Sequence, residues 1–320
     1  MIDAVANMLS EAERVLVVSH QDPDGDALGS SLGLMHLLAA DKEVFVHSAG
    51  PIAGIYDFLP GRGRISPELP PAAEIDLAVL LDCHEPSRAG EAAEELLPRV
   101  PKTVIVDHHQ GVPKFGQVRW VDPDYSATSE MLVEMAEQAD LPMNPQAATC
   151  LFVGLQTDTG SFRYGNTTSR ILRIAADLVD NGANPWAISQ EVYATQPKRM
   201  MLWASIINNL SYLAGGRLAV AQVLQDDLNA AGCGPQDLEQ VVETIRSIHG
   251  VEVAVLLREM DGGGVKVSLR SRGRVNVAQV AQQMGGGGHR NAAGLRLRQD
   301  ISSVRRQMIQ SLTDKLEAAT

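Results

Sequence analysis

The chain has 320 residues, of which 45% are hydrophobic and 21% charged, a globular composition that argues against a disordered or fibrous chain. Its length predicts two domains, each with a core of its own. Cys83, Cys150 and Cys233 lie far apart without a CxxC pair, which argues against a disulfide framework and a cysteine zinc site. No basic leader pattern or long apolar run is present, so we expect a cytoplasmic protein without a membrane partner.

The net charge of −12 is unevenly distributed along the chain. A strongly acidic protein is a poor stable partner for long nucleic acid, since duplex binding needs many cationic contacts to phosphate. Residues 258–306, however, contain 10 Lys and Arg against 3 Asp and Glu. The C-terminal part therefore has a local basic surface that could meet phosphates, although a merely solvated basic face has the same pattern.

Short hydrophobic runs alternate with helical patterns through the first part of the chain. The predicted strands are 14–19, 43–47, 77–81 and 103–106, and the predicted helices are 27–39, 128–139 and 146–155. This alternation is typical of a parallel sheet with helices on both faces. We therefore predict an α/β fold for this part.

A second, smaller α/β domain is predicted near the C-terminus. A long helical pattern covers Pro185 to Tyr212, and Ala214-Gly215-Gly216 then interrupt the chain before further strands and helices. We place the first domain at 1–190, a helical linker at 191–214 and the smaller domain at 215–320.

Residues that can bind metal follow the predicted strands where these strands end. The carboxyl ends of parallel strands meet at one edge of a sheet, where ligands bind. Carboxylates with imidazoles and without thiolates suit Mn²⁺, Mg²⁺ or a similar divalent ion. Each residue alone has an ordinary structural explanation as a turn or cap, but their coincidence at four chain segments predicts a metal site. These residues are His20, Asp24, Asp26, Asp82, Asp107, His108, His109 and Asp158.

Several competing motifs are incomplete. The segment that begins at Asp22 starts like a calcium loop, but Ala27 and Gly33 stand where that loop needs Gly and Glu. The segment His84-Glu85-Pro86-Ser87-Arg88 lacks the second histidine of a zinc protease. The sequence also lacks a GxxxxGK[ST] phosphate loop and a GxSxG serine elbow.

The order and types of these residues resemble the DHH phosphoesterase superfamily, in particular its DHH–DHHA1 branch. His20-x-x-x-Asp24-Gly25-Asp26 resembles the first family motif and Asp82 the second, while Asp107-His108-His109 resembles the motif that names the family and Asp158 the fourth. The resemblance covers nearly the whole chain. It is nearest to the short cytoplasmic type that degrades nano-RNA and dephosphorylates 3′-phosphoadenosine 5′-phosphate (pAp).

The resemblance implies two divalent metal ions, with Mn²⁺ expected first and Mg²⁺ or Co²⁺ as alternatives. One ion would be held by His20, Asp24 and Asp82. The other would be held by a set that shares Asp82 as a bridge, namely Asp26, Asp82, His108 and Asp158.

Three further residues are expected to act in catalysis. His109 would contact phosphate or serve as an acid, and Asp107 would orient an imidazole. Arg88 would bind phosphate, with a surface arginine as the alternative.

The C-terminal domain contains a segment that resembles the DHHA1 substrate-binding signature. A glycine run is usually a flexible linker, but Gly285–Gly288 lie between a predicted helix, Val277–Met284, and a run of small residues. Glycines let backbone N–H groups approach an anion closely. The expected substrate-binding residues are Arg270, Arg272, Gly286, Gly287, Gly288, His289 and Arg290.

These expectations predict a phosphoesterase that cleaves short single-stranded RNA or a small adenine nucleotide in a cleft between the domains, with a homodimer as a further expectation. A cyclic-dinucleotide phosphodiesterase is one alternative. A catalytically inactive nucleotide-binding module is another, and it would lack at least one metal ligand. An inorganic pyrophosphatase would share the N-terminal motifs but not the segment from Gly285 to His289.

Overall fold

Short strands of nearly continuous hydrophobic sequence form the first of two sheets in the computed structural model, which describes residues 1–318. All strand pairs of this sheet are parallel, in the order β3-β2-β1-β4-β5-β6. The central strands have unbroken Val and Leu runs because helices cover both of their faces. The strands are β1 (Arg14–Val18), β2 (Glu43–His47), β3 (Ile65–Ser66), β4 (Leu77–Leu81), β5 (Lys102–Asp107) and β6 (Val118–Val121).

Seven α-helices belong to the same compact unit, Met1–Ala194. Alternate residues of β1 face different cores: Val15 and Val17 pack against the larger helical layer, while Leu16 and Val18 face the layer that contains Ala93. The predicted parallel sheet with helices on both faces is confirmed. The helices are α1 (Ile2–Glu11), α2 (Gly25–Leu38), α3 (Glu91–Leu96), α4 (Thr128–Gln138), α5 (Pro145–Asp158), α6 (Ser169–Asp180) and α7 (Pro185–Val192).

Helices α2 and α5 approach each other so closely that their contact needs glycine. A Cβ atom on Gly29 would lie 2.4 Å from the carbonyl oxygen of Cys150, and one on Gly25 would lie 2.3 Å from the Thr157 side chain. These contacts run in opposite directions along the two helices, so the helices are antiparallel. The beginning of α2, with Asp26, is thereby brought beside the end of α5, with Asp158.

The second compact unit begins at Thr195 and contains a mixed sheet. Its strand order is β11-β12-β10-β9-β8-β7, in which only β8 and β9 pair in parallel. The strands are β7 (Ser211–Leu213), β8 (Leu218–Val223), β9 (Val253–Glu259), β10 (Val265–Ser271), β11 (Gly287–His289) and β12 (Ala292–Leu297). The helices are α8 (Pro197–Asn208), α9 (Gln225–Ala231), α10 (Val241–Ser247), α11 (Val277–Gln282) and α12 (Ile301–Ala318).

The continuous helical stretch predicted for Pro185 to Tyr212 is wrong. The chain forms two separate helices there, Pro185–Val192 and Pro197–Asn208, followed by strand β7. Pro197 stands in the first turn of α8, where its missing N–H costs nothing, but within one long helix it would remove a hydrogen bond. In the part of the chain that the structure describes, no helix is both long and apolar enough to cross a bilayer.

Substitution of Gly29 by Ala should destabilise the first unit. The added methyl group would force α2 away from the backbone of α5, and overpacking of this kind costs about 1–3 kcal/mol. Gly63→Ala is the matched control, because a Cβ there meets no atom within 4 Å. Urea unfolding curves measure the stability of both variants. Equal unfolding midpoints would contradict the close contact between α2 and α5.

Candidate metal centre

Four chain segments bring carboxylates and imidazoles to the carboxyl edge of the first sheet. His20 follows β1, Asp82 follows β4, and Asp107 ends β5 directly before His108 and His109. The helices complete the group. Asp24 and Asp26 lie at the beginning of α2, and Asp158 is the last residue of α5.

The side chain of Asp82 stands between two groups of potential ligands. His20, Asp24 and Asp82 offer ligand atoms that all lie within 4.8 Å of one another, and so do Asp26, Asp82 and His108. One oxygen of Asp82, Oδ2, lies 3.4 Å from Nε2 of His20, and the other, Oδ1, lies 3.3 Å from Nε2 of His108. The two oxygens of one buried carboxylate therefore face different histidines, as a bridge between two cations requires.

Asp82 holds this position in an unusual backbone conformation. Its φ of 56° lies in the left-handed region, which L-residues other than Gly, Asn and Asp seldom adopt. Its N–H donates to the carbonyl of Val106 at 3.0 Å, which ties the residue to the neighbouring strand β5. Such strain is common at functional sites, where the surrounding structure enforces it.

Asp26 and Asp158 complete the second group. Asp26 is fully buried and accepts hydrogen bonds from the N–H groups of Thr128, at 2.6 Å, and Ser129, at 3.0 Å, in the first turn of α4. Oδ2 of Asp158 lies 3.1 Å from Nε2 of His108. Nδ1 of the same imidazole lies 3.4 Å from the carbonyl oxygen of Tyr125, which leaves Nε2 directed at the carboxylates.

The electrostatics show that the site concentrates negative charge. Burial, and after it the charges of Asp82 and Asp158, holds the pKa of Asp26 well above its ordinary value. Burial likewise raises the pKa of Asp158. Burial would also raise the pKa of Asp82, but His109 and His108 outweigh it and hold that pKa well below its ordinary value.

The imidazoles respond to the same carboxylates in the opposite sense. Burial lowers the pKa of His108, but Asp158 and Asp82 outweigh it and raise the pKa well above its ordinary value. For His109 the carboxylates of Asp82 and Asp107 overcome burial and raise the pKa to about 10. Positive charge is therefore strongly favoured in this place, whether protons or bound cations supply it.

The donor set fits divalent cations. Carboxylate oxygens and imidazole nitrogens, with no thiolate among the groups described, suit Mn²⁺, Mg²⁺ and related ions. A pair of such ions would also offset the burial and the neighbouring charges of Asp82 and Asp158 that raise the pKa of Asp26.

The predicted catalytic residues lie beside this centre. Nδ1 of His109 lies 3.3 Å from Oδ1 of Asp82 and 2.7 Å from Oδ1 of Asp107. Arg88 is exposed, and its carbonyl accepts a hydrogen bond from the N–H of Gln21. Burial lowers the pKa of His20, but Asp82 and Asp24 outweigh it and raise that pKa, against a smaller opposing effect of the Arg88 charge. The structure thus brings His109, Asp107 and Arg88 to the same edge of the sheet as the predicted metal ligands.

The residues predicted in the C-terminal domain lie in the strands of the second unit or directly beside their ends. Ala292 on β12 pairs with Arg270 on β10 and with His289 on β11. Residues paired across antiparallel strands point to the same face. Arg270 and His289 therefore share one face, two strand spacings or roughly 10 Å apart at their backbones.

Glycines form the adjoining part of that face. Gly294 pairs with Ser268 on one side and Gly287 on the other, so little side chain covers the backbone there. A Cβ on Gly286 would lie 2.3 Å from the carbonyl oxygen of Gly294, and Gly288 has a φ of 132°. This shallow floor between Ser268, Arg270 and His289 fits the close approach of an anion.

Three of the predicted arginines also have partners within the second unit. Arg270 donates from Nε to Glu243 at 2.6 Å, and Arg290 donates to the carbonyl of Gly273 at 3.0 Å. The Arg272 guanidinium donates to carbonyls at the end of α10, including those of Arg246 and Ser247, which gives it a helix-capping task.

Two residues beside the metal centre are absent from the sequence-based prediction. Oγ1 of Thr128 donates to Oδ1 of Asp82 at 3.2 Å, and Nδ1 of His84 contacts Oδ2 of Asp107. The signal for Thr128 is weak, because one threonine at a helix start is an ordinary capping residue. His84 stands two residues after Asp82, and that proximity is a signal for a place beside the centre but not for the contact with Asp107.

Comparison with known proteins agrees with the geometry. Residues 14–155 match the DHH family, N-terminal domain, and residues 215–319 match the DHHA1 domain. The bifunctional oligoribonuclease and PAP phosphatase NrnA of Thermus thermophilus is 35% identical over 275 residues, which are 84% of this chain and 80% of the relative. The cyclic-di-AMP phosphodiesterase GdpP of Geobacillus thermodenitrificans is 28% identical over 84% of this chain but only 42% of its own length.

A solved structure extends the agreement to the whole chain. The crystal structure of an exopolyphosphatase-related protein from Bacteroides fragilis has a TM-score of 0.89 and 26% identity, and the match covers 99% of this chain and 97% of that one. Fold and site together define a phosphoesterase of the DHH class. The chain belongs to the DHH/DHHA1 phosphoesterase family, in the branch that contains NrnA.

Asp82→Asn should abolish most of the stabilisation that divalent cations give. Asn tolerates the left-handed backbone at this position, so the variant should fold, but it loses the charge that faces both ligand groups. Wild-type protein with Mn²⁺ at about 100 times its Kd should gain about 2.7 kcal/mol per site over chelator-treated protein. Asp180→Asn, an exposed change, should keep this gain, and an undiminished gain in Asp82→Asn would contradict the bridging position.

Proposed function

We propose that this chain is a two-metal phosphoesterase that hydrolyses short oligoribonucleotides and pAp to mononucleotides. The observation that carries the proposal is the position of Asp82, whose two carboxylate oxygens face two separate ligand groups. The substrates are those named for the relative from Thermus thermophilus, which matches over most of both chains. The complete ligand set argues against a catalytically inactive nucleotide-binding module.

The proposed ligands are His20, Asp24 and Asp82 for one ion and Asp26, Asp82, His108 and Asp158 for the other. When bound, two such ions lower the pKa of a water and stabilise the attacking and leaving oxygens of the phosphate. We propose Mn²⁺ as the preferred ion, because the donor set mixes oxygens with imidazole nitrogens.

The remaining residues would handle the phosphate and the proton. His109, held beside Asp82 by Asp107, would contact a phosphate oxygen or protonate the leaving oxygen. Arg88 would neutralise part of the phosphate charge at the side of His20. The positions of these side chains beside the proposed metal ligands support these roles.

The second unit would hold the part of the substrate that is not cleaved. Arg270 and His289 share a face that is floored by glycine backbone, which suits a phosphate or the end of a nucleotide. We accordingly assign catalysis to a domain at 1–190 and substrate binding to a domain at 215–320, joined by residues 191–214.

A panel of substrates tests the proposed activity. With saturating Mn²⁺, oligoribonucleotides of about two to five units and pAp should be hydrolysed, while a long RNA should be cleaved more slowly, because the proposed binding of the substrate end by the second unit favours short strands. Chelator should remove all activity. Faster turnover of the long RNA, or full activity without metal, would contradict the proposal, and a preference for cyclic di-AMP would favour the activity of the relative GdpP.

His289→Ala should weaken turnover of a dinucleotide far more than turnover of a nitrophenyl phosphodiester. The small ester uses only the metal centre in its transition state, whereas the dinucleotide also gains from binding to the second unit. His249→Ala, which changes an exposed histidine of the same unit, is the matched control. Metal content should stay unchanged in both variants. Equal losses on the two substrates would show that His289 is structural.

A further inference from the structure

A buried chain of hydrogen bonds runs from His84 through Asp107 to His109. Asp107 is fully buried, and its Oδ1 accepts from the N–H of His109 at 3.0 Å and from Nδ1 of His109 at 2.7 Å. Its other oxygen, Oδ2, contacts Nδ1 of His84. His84 is itself buried, and Gly111 packs against the far side of its ring.

The chemistry of the carboxylate fixes the direction of these hydrogen bonds. Oδ1 of Asp107 accepts both the backbone N–H and Nδ1 of His109, as an ionised carboxylate does. An ionised carboxylate can only accept hydrogen bonds, so Nδ1 of His84 donates to Oδ2. The two oxygens of Asp107 are thereby held from opposite sides, one by His84 and one by His109.

The orientation of His109 depends on this arrangement. Its Nδ1 lies 2.7 Å from Asp107 and 3.3 Å from Asp82, so a rotation of the Asp107 carboxylate would change how the imidazole faces the metal centre. Without His84, the buried Oδ2 would lose its donor, and a buried oxygen without a partner drives such a rearrangement. Among the described residues, the groups that could hold a cation do not include His84.

We propose that His84 is a positioning residue for phosphoester hydrolysis: it holds Asp107, and Asp107 holds His109 against the substrate. The inference rests on the proposed phosphoesterase function. Residues that orient catalytic or metal-bound groups in this way typically account for 10–100-fold of activity.

Isosteric substitutions separate this role from simple packing. The amide N of Asn can take the place of Nδ1 of His and donate to Asp107, whereas the amide N of Gln takes the place of Nε2 and cannot. We expect His84→Gln and His84→Ala to lower kcat on a diribonucleotide about 10–100-fold, with KM changed by less than about threefold, and His84→Asn to stay within about threefold of wild type. All assays use saturating Mn²⁺, and metal content is measured for each variant.

Gly111 supplies a second route to the same test. A Cβ there would lie 2.3 Å from Nε2 and 2.8 Å from Cε1 of His84, so Gly111→Ala should displace the imidazole and lower kcat. Asn lacks those ring atoms. In the His84→Asn background the added methyl group should therefore lower kcat only slightly, and the double variant should have a higher kcat than Gly111→Ala alone.

Proton NMR of the metal-free protein, without the paramagnetic Mn²⁺, gives a readout that does not need activity. The low-field imidazole N–H signal of His109, assigned by its loss in His109→Gln, should persist in wild type and His84→Asn and disappear in His84→Gln and His84→Ala. Equal rates and equal spectra for the three His84 variants would overturn the positioning role, as would a loss of kcat that follows loss of metal. A wild type that hydrolyses no phosphoester but shows the expected spectra would instead contradict the proposed function alone.

Discussion

The repulsion among buried carboxylates is the constraint on which the rest of the site depends. Asp26, Asp82 and Asp158 lie around one imidazole, and Asp26 and Asp82 are almost completely excluded from solvent. A folded protein tolerates such a group only when bound protons or cations compensate its negative charge. Protonated histidines supply part of that charge in the metal-free protein, and two divalent ions would supply it more completely.

The fold supports the cluster from two directions. The parallel strands β1, β4 and β5 deliver His20, Asp82 and Asp107 to one edge, while the close antiparallel contact of α2 with α5 places Asp26 next to Asp158. Neither the strand ends nor the contact between α2 and α5 forms the candidate metal centre alone. The left-handed backbone of Asp82 indicates that the surrounding structure holds this side chain in its place between His20 and His108.

The parallel sheet and the group of carboxylates and imidazoles at its edge could be predicted from the sequence, because ligand residues that follow hydrophobic strands of a parallel sheet must converge. The helical pattern from Pro185 to Tyr212 does not predict the break between α7 and α8, although a proline such as Pro197 is typical of a helix start. The contact of His84 with Asp107 links residues at the ends of two strands. The hydrogen bond from Arg272 to the carbonyl of Arg246 links the end of β10 to the end of α10. Pairings of this kind depend on three-dimensional packing, which periodicity along one chain does not encode.

The central claim is that Asp82 bridges two divalent ions. Anomalous diffraction from crystals grown with Mn²⁺ measures this most directly, since it locates each ion independently of activity. Two peaks about 3.5–4 Å apart, one on each side of the Asp82 carboxylate, are the predicted result. A single peak, or two peaks that both lie away from Asp82, would contradict the account.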